Sequence, residues 1–382
     1  TLLGSATPAI ESFYNAKRGK YGLVTLTRRF EEVLMPEIII ENTKELRRKK
    51  KMKSIFTPTL IDHIRQALEN EEQIILFRNR RGFAPRIECK LCAWTPKCKH
   101  CDVTLTYHKY QNELICHYCN RAYATPTECP VCHEKSLEFI GQGTEQVEEE
   151  VLRLFPGTNV ARMDTDTTQG KNAYERIITD FQNKKIQILV GTQMVSKGLD
   201  FDNVSVVGII AADSLLNYPD FRSHERGFQL MMQASGRAGR RNKRGTVIIQ
   251  TTQPELPIYQ FIAENNYEGF FNMQLAERKI FKYPPFYRLI SIELKDKNEQ
   301  RADAASHYFA NILRGSLQDK ILGPNKPVIS RIRSYYIREI LLKLENNLST
   351  SFVRKCIRQT EQRMREKPEF RYVVLNYDVD PV

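Results

Sequence analysis

Two kinds of apolar pattern alternate along most of this chain. Short continuous apolar runs mark strands buried on both faces, and apolar residues recurring every three to four positions mark amphipathic helices. Gln73–Phe77, Val160–Met163, Ile186–Val190, Val204–Ala212 and Gly245–Thr251 read as strands, and Glu145–Leu154, Asn172–Phe181 and Glu225–Ser235 as helices. A further helix precedes Gln73. Thr57 caps it, and Pro58 takes the first helical position, where a missing N–H leaves no bond unmade. The alternation predicts an α/β domain with a mostly parallel sheet over about 56–255. Ligand chemistry is expected at the C-terminal ends of its strands. Beyond 256 a helical stretch leads into a small α+β domain. It has a strand at Arg288–Lys295, a helix at Gln300–Leu317, a hairpin over Val328–Leu344, a helix at Leu348–Glu366 and a strand at Arg371–Tyr377. The chain opens on Thr1 rather than Met and enters an apolar strand at once, which reads as a cut through a longer protein.

Cysteine interrupts the pattern. Eight of the nine cysteines form four Cys-x-x-Cys pairs: Cys89/Cys92, Cys98/Cys101, Cys116/Cys119 and Cys129/Cys132. The ninth, Cys356, falls in a helical pattern and reads as a small buried apolar residue. Disulfide frameworks suit short secreted chains, but this chain has 382 residues, and 1–30 lack the order of a signal peptide. A Cys-x-x-Cys turn aims two thiolates at one metal, so four pairs read as two tetrahedral Cys₄ zinc sites. The five residues between Cys92 and Cys98 are tight for two knuckles facing one ion, whereas fourteen between Cys101 and Cys116 accommodate a β-hairpin. Its strands are Val103–His108 and Glu113–Cys116, with Gln111-Asn112 at the turn. The sites are therefore expected to nest. Cys98, Cys101, Cys116 and Cys119 hold the inner zinc; Cys89, Cys92, Cys129 and Cys132 hold the outer one. His100, His117 and His133 lie in or beside the knuckles, but eight thiolates already fill two sites, so they read as surface residues. Filled sites leave no position for water, which makes the zinc structural.

Charge narrows the partner. Lys and Arg number 58 against 45 Asp and Glu, a formal net charge of +13, which favours an anionic partner, nucleic acid first. No apolar run approaches the ~20 residues of a membrane span, and no membrane partner is expected. Around the cysteines, Lys97, Lys99, Lys109 and Arg121 accompany Trp94, Tyr107, Tyr110, Tyr118 and Tyr123. These aromatics either stack on unpaired bases or pack the small ribbon. Residues 281–382 hold 19 Lys and Arg against 12 Asp and Glu. Within them Arg331, Arg333, Tyr335, Tyr336 and Arg338 form either a single-stranded DNA surface or a solvated hairpin face. The run Arg47–Lys51, with Lys53, reads as a solvated linker.

Three segments at strand ends carry candidate chemistry. Gly191-Thr192-Gln193-Met194 follows the strand ending at Val190 and leads to Lys197-Gly198-Leu199-Asp200. Asp213 follows Ala212. Gln233-Ala234-Ser235-Gly236-Arg237-Ala238-Gly239-Arg240 precedes the last strand. On a helix Gln233, Arg237 and Arg240 would share one face. Two guanidinium forks and an amide there match phosphate oxygens.

These segments resemble superfamily 2 helicases. Thr192-x₄-Lys197-Gly198-x-Asp200 is similar to motif V, Gln233-x-x-Gly236-Arg237-x-Gly239-Arg240 to motif VI, and Gly4-Ser5-Ala6-Thr7-Pro8 to motif III. The run Phe77–Pro85 ahead of the cysteines narrows the resemblance to the PriA family of bacterial primosomal replication-restart helicases. So do Gly141–Glu145, Gly191–Met194, Tyr218–Arg222 and Asp378–Pro381. The family often has glycine after a knuckle's second cysteine, where this chain has Ala93, Asn120 and His133; Asn and His tolerate positive φ. Ser235 replaces a small apolar residue, with no functional change expected.

The resemblance implies a RecA-like helicase lobe with a parallel sheet, an inserted two-zinc ribbon and a small α+β C-terminal domain. It divides the chain into the end of lobe 1 and a linker (1–43), lobe 2 (44–88 and 137–255), the cysteine-rich insert (89–136) and a DNA- and partner-binding domain (256–382). It implies an ATP-dependent, Mg²⁺-requiring 3′→5′ DNA helicase that acts on single-stranded and forked DNA. Single-strand DNA-binding protein and primosome proteins are its partners, in the cytoplasm of a bacterium, with the enzyme a monomer. Arg237 and Arg240 would reach the γ-phosphate, with Gln233 as a phosphate sensor and Asp200, Gly198 and Gly236 at the nucleotide. Ser5 and Thr7 would couple hydrolysis to lobe movement, and Thr192, Gln193 and Lys197 would meet DNA. The 382 residues contain no Gly-x₄-Gly-Lys-Ser/Thr and no Asp-Glu-x-His, so this chain alone is expected not to hydrolyse ATP. Two other readings compete: a zinc-ribbon scaffold with vestigial motifs, and an RNA-remodelling helicase.

Overall fold

The computed structural model describes residues 1–26, 35–78, 86–89, 91–92, 94–108, 112–140, 143–164, 167–168, 172–193, 201–217, 220–239 and 244–381. Two compact units emerge, one from Thr1–Ala84 with Gly141–Gln274, the other from Pro85–Ile140 with Leu275–Val382. Strands and helices are numbered in chain order across both.

The first unit is built on six parallel strands. They are β1 (Glu37–Asn42), β2 (Gln73–Arg78), β8 (Val160–Met163), β9 (Ile188–Gly191), β10 (Val204–Ile210) and β11 (Thr246–Thr251). Their order across the sheet is β1-β11-β10-β2-β9-β8. Every residue of β2 and β9 is buried, as continuous apolar runs require in a sheet covered on both faces. The helices are α1 (Ile10–Lys17), α2 (Thr43–Arg48), α3 (Pro58–Glu69), α4 (Thr144–Leu154), α5 (Ala173–Gln182), α6 (Asp213–Leu216), α7 (Ser223–Ser235) and α8 (Pro257–Ala263); α9 (Tyr267–Ile280) begins here. Thr57 caps α3 by accepting from the Leu60 amide, and Leu60, Ile64 and Ala67 bury one face. Gly208 lets that face close on the sheet, since a Cβ there would lie 2.8 Å from Leu76 and 3.0 Å from Leu60.

Two parts of this unit depart from expectation. Glu37–Asn42, expected in a linker, pairs with β11 along its whole length as an edge strand. Its Glu-Ile-Ile-Ile-Glu-Asn sequence carries the charged ends that protect an edge. Thr1–Ser5, expected as a strand, form none; Leu2 and Leu3 are exposed, and no described neighbour supplies a ladder. Past Pro8 the chain is drawn in by aromatic contacts. Phe13 meets Tyr267 and Phe271 edge-on at 5.3 and 4.9 Å, and Phe228 stacks on Phe270 at 4.2 Å. These rings hold α1 and the start of α9 to α7.

The second unit joins the cysteine-rich insert to the C-terminal residues. In the insert β3 (Arg86–Cys89) pairs antiparallel with β7 (Leu137–Ile140). Strands β4 (Thr106–His108), β5 (Glu113–Ile115) and β6 (Ala122–Ala124) form a small meander. The expected hairpin is thus present, with Asn112 at φ +51 in its turn. The C-terminal sheet runs β13 (Ile321–Asn325), β15 (Tyr335–Glu345), β12 (Tyr287–Asp296), β16 (Val374–Val379), all antiparallel. The two-residue strand β14 (Arg331–Ile332) folds onto β15. Helices α10 (Glu299–Leu317) and α11 (Thr350–Arg365) complete the core, in which Phe309, Leu313, Ile340 and Cys356 are buried together. The hairpin expected over Val328–Leu344 is therefore a short one, and β13 was not expected.

Candidate metal centres and helicase-type motifs

The eight paired cysteines gather into two clusters: Cys98, Cys101, Cys116 and Cys119, and Cys89, Cys92, Cys129 and Cys132. Within each, the thiol sulfurs lie within 4.8 Å of one another. Cys89–Cys132 and Cys92–Cys129 are 3.5 Å apart, and Cys98–Cys119 3.7 Å. A tetrahedron of Zn–S bonds of ~2.3 Å has S···S edges of ~3.8 Å, so both sets fit the ion. Asn120 and His133 have φ of +58° and +60°, the conformation a knuckle needs, and their amides donate to the Cys116 and Cys129 carbonyls. Ala93 lies outside the described residues.

Polar neighbours tune the thiols. The Ser136 hydroxyl lies 3.1 Å from Cys89 and draws its thiol down to about 6. Tyr123 places its hydroxyl 3.3 Å from Cys98. Burial pushes Cys116 up to about 12. Four such groups in contact cannot all ionise without a cation between them, which is the condition a divalent ion satisfies. No histidine joins either cluster among the described residues; His100 contacts Ser334 and Arg121 instead. Tyr107 and Tyr123 pack against the ribbon core of Ile87, Leu105 and Leu114, whereas Tyr118, Lys97, Lys99 and Arg121 are exposed. Lys109 and Tyr110 are outside the described residues.

In the first unit, Gly191 ends β9 and Thr192 follows, buried, its amide donating to Met163 at 3.3 Å. Thr192 and Gln193 thus stand at the C-terminal edge of the sheet. Lys197, Gly198 and Asp200 lie outside the described residues, as does Arg240. Asp213 is committed to structure, because its carboxylate accepts from the Thr251 hydroxyl and from the Thr252 amide and hydroxyl.

The expectation of one helical face for Gln233 and Arg237 is corrected. Helix α7 ends at Ser235; Gln233 lies in its last turn, while Arg237 occupies the turn beyond. Gly239, four residues past the end of α7, has φ +75°, and its amide donates to the Val204 carbonyl at the start of β10. Gly245 passes so close that a Cβ there would lie 2.4 Å from the Gly239 nitrogen. Gly236–Gly239 therefore sit where β10 and β11 begin, opposite the edge that carries Thr192. Burial lowers the pKa of the Arg237 guanidinium.

The Gly4–Pro8 segment docks on the same helix. Thr7 is buried, and its amide donates to Ser5 Oγ at 3.1 Å. Gln229 donates to the Thr7 carbonyl at 3.3 Å, the Ile10 amide to Glu225 at 2.9 Å, Arg222 to Glu11 at 2.9 Å and Tyr267 to the Pro8 carbonyl at 2.7 Å. Gln229 and Gln233 are one turn apart on α7, so one face of this helix links Thr7 to Gln233. Sequence reasoning missed this docking, although Arg222 lies in a run it had singled out. It also missed Asp164, which is buried, pairs with Arg162 at 3.1 Å and accepts from Thr144, tying the start of α4 to the end of β8.

The basic and aromatic segment of the second unit is also revised. Arg338 is only 2% exposed and is held by Asp303 and Glu299, so it cannot line a DNA surface. Of the remainder, Arg333 is exposed, and Arg331 lies 5.7 Å from the Tyr336 ring.

Three family models match successive parts of the chain. The PriA DNA helicase Cys-rich region domain covers 98–122, the helicase conserved C-terminal domain 133–242, and the primosomal protein N C-terminal domain 279–382. Replication restart protein PriA of Bacillus subtilis is 38% identical over 100% of this chain and 47% of its own length. Those of Synechocystis and Treponema pallidum are 38% and 37% identical over 100% of this chain and 46% and 56% of theirs. The chain belongs to the PriA family. It spans about half the length of the curated PriA relatives it matches. In PriA terms, the second unit combines the Cys-rich region with the C-terminal domain. The parallel sheet of the first unit carries most of the helicase C-terminal domain.

Proposed function

We propose that this chain forms the second half of an ATP-driven 3′→5′ DNA helicase of replication restart, working on branched and single-stranded DNA in a bacterial cytoplasm. The observation that carries the reading is the convergence of motif III and motif VI on α7, through Thr7, Gln229 and Gln233. A helix touching both motifs is suited to pass a change at the nucleotide to the other lobe. In this reading ATP and Mg²⁺ sit against a first lobe. Arg237 and Arg240 stabilise charge on the transferring phosphoryl group, and Gln233 senses it. Gly198, Asp200 and Gly236 border the nucleotide. Ser5 and Thr7 relay its state, while Thr192, Gln193 and Lys197 meet the DNA backbone. The two Cys₄ clusters each hold one structural zinc ion. Single-strand DNA-binding protein and primosome proteins are the partners, and the working form is a monomer.

The test uses the complete protein. Arg240→Ala should lower DNA-stimulated ATPase turnover by about 10³-fold while leaving forked-DNA affinity near its original value. Equal turnover in the two would refute the assignment. The 382-residue chain by itself should show no steady turnover above its own Arg240→Ala control.

A further inference from the structure

The ribbon supplies all four thiols of the inner cysteine cluster, but the groups that hydrogen-bond around it come partly from elsewhere in the unit. It shares a compact unit with β14 and β15, and the two-residue turn between those strands lies against its first knuckle. The Arg333 amide donates to Cys101 Sγ at 3.2 Å. On either side of that cysteine, the Ser334 amide donates to the His100 carbonyl at 2.7 Å, and the Asp102 amide to the Arg331 carbonyl at 2.8 Å. Side chains reinforce the contact. The Ser330 hydroxyl donates to the Asp102 carboxylate at 3.0 Å, and Arg333 Nε to the Tyr118 carbonyl, inside the second knuckle, at 3.2 Å. Arg121 donates to His100 Nε2 at 2.6 Å, which leaves the ring proton on Nδ1 to meet Ser334 Oγ at 3.0 Å.

The turn has an unusual backbone for its residues. Arg333 and Ser334 have φ of +50° and +66°. Two successive left-handed positions make a type I′ hairpin turn, which favours Asn-Gly and disfavours side chains such as these. The left-handed pair is what aims both amides at the knuckle. An N–H donated to a thiolate stabilises its ionised, metal-binding form.

We propose that the Ser330–Ser334 turn is the outer shell of the inner zinc centre, so that metal retention there and docking of the C-terminal hairpin depend on each other. This rests on the reading of Cys98, Cys101, Cys116 and Cys119 as a zinc site. Zinc analysis of the whole 382-residue chain tests that reading first: two ions per chain are expected, and fewer than two would refute the site rather than the coupling. Release to a metallochromic chelator then tests the coupling. Arg333→Val with Ser334→Val, which opposes positive φ, should speed the loss of one of the two ions by about tenfold or more. Arg333→Asn with Ser334→Gly, which favours the turn and keeps both amides, should release zinc as the original chain does. Unchanged release in the valine variant would overturn the coupling if amide exchange over 330–337 has risen there. If the valine variant does not fold or keeps its turn, the reciprocal measurement decides. Cys116→Ser should raise amide exchange over 330–337 but not over 374–379, and Cys129→Ser, in the outer cluster, should leave both unchanged. Equal protection of 330–337 in Cys116→Ser and the original chain would overturn the proposal.

Discussion

Single residues fix the motif VI loop and the C-terminal core. Gly245 has no room for a side chain, because the Gly239 nitrogen and Ala238 carbonyl carbon would lie 2.4 and 2.6 Å from an added Cβ. Backbone atoms cannot swing aside as a side-chain tip can. Gly245→Ala should therefore cost about 1–3 kcal/mol, read as a lower urea midpoint, and should displace the Gly236–Gly239 turn. Arg338 presents a different balance. Its hydrogen bonds hold the Asp303 carboxyl below the usual carboxylate range, and those of Lys326 and Arg338 do the same for Glu299. A carboxyl whose pKa is lower in the folded state contributes stability in full above its unfolded value of ~4, and that contribution fades as pH falls through the folded value. The urea midpoint should fall between about pH 5 and pH 3, and Arg338→Met should flatten this fall. Asp303 and Glu299 are each more than a third exposed, so solvent screening keeps the effect modest. An equal slope in both proteins would show that the pair does not drive the acid response.

Elements differ in how far their own sequence determines them. The strands β2, β9 and β10 were legible because each is a continuous apolar run buried on both faces. Helix α3 was legible from its Thr57 cap and Pro58, and α4 and α5 from their apolar period. Strand β1 was not, since only its distant partner β11 makes a strand of those residues. The end of α7 was hidden for a related reason: Gln233 and Arg237 have helical spacing, but α7 ends at Ser235 and the chain beyond it is tied to the start of β10 through the Gly239 amide. The nested cysteine pairs were legible because chain length between knuckles limits which can meet. The meander β4–β6 has strands of three residues, too short to persist without a tie. Chelation should therefore unfold the ribbon, seen as loss of amide protection over 106–124, while β2 and β10 stay protected. The aromatic contacts of α9 were illegible, being long-range. Phe270 is fully buried against Phe228, so Phe270→Ala should cost about 3–5 kcal/mol in the first unit. Zinc content should be unchanged. Loss of zinc in that variant would mean the two units do not fold separately.

Across the whole molecule, a net charge of +13 says that an anion is attracted but not where. Position separates the cations that can act from those that cannot. Arg338 is buried against two carboxylates, and its charge is already balanced. Lys97 and Lys99 are exposed at the first knuckle of the inner cluster, and Tyr118 is exposed in the second. A phosphate contact releases counterions, so each lysine that pairs with single-stranded DNA adds about 0.7 to the slope of log affinity against log salt. Lys97→Ala with Lys99→Ala should therefore weaken single-strand binding at low salt and reduce the slope by about 1.4. Arg338→Met should leave the slope unchanged. Fluorescence anisotropy of a labelled oligonucleotide over about 50–200 mM salt separates these outcomes. A slope that falls with Arg338→Met but not with the lysine pair would place the DNA on the C-terminal sheet and away from the ribbon. Unchanged slopes in both would leave the ribbon lysines solvated and return the zinc segment to a purely architectural role, with its aromatic residues filling a small core.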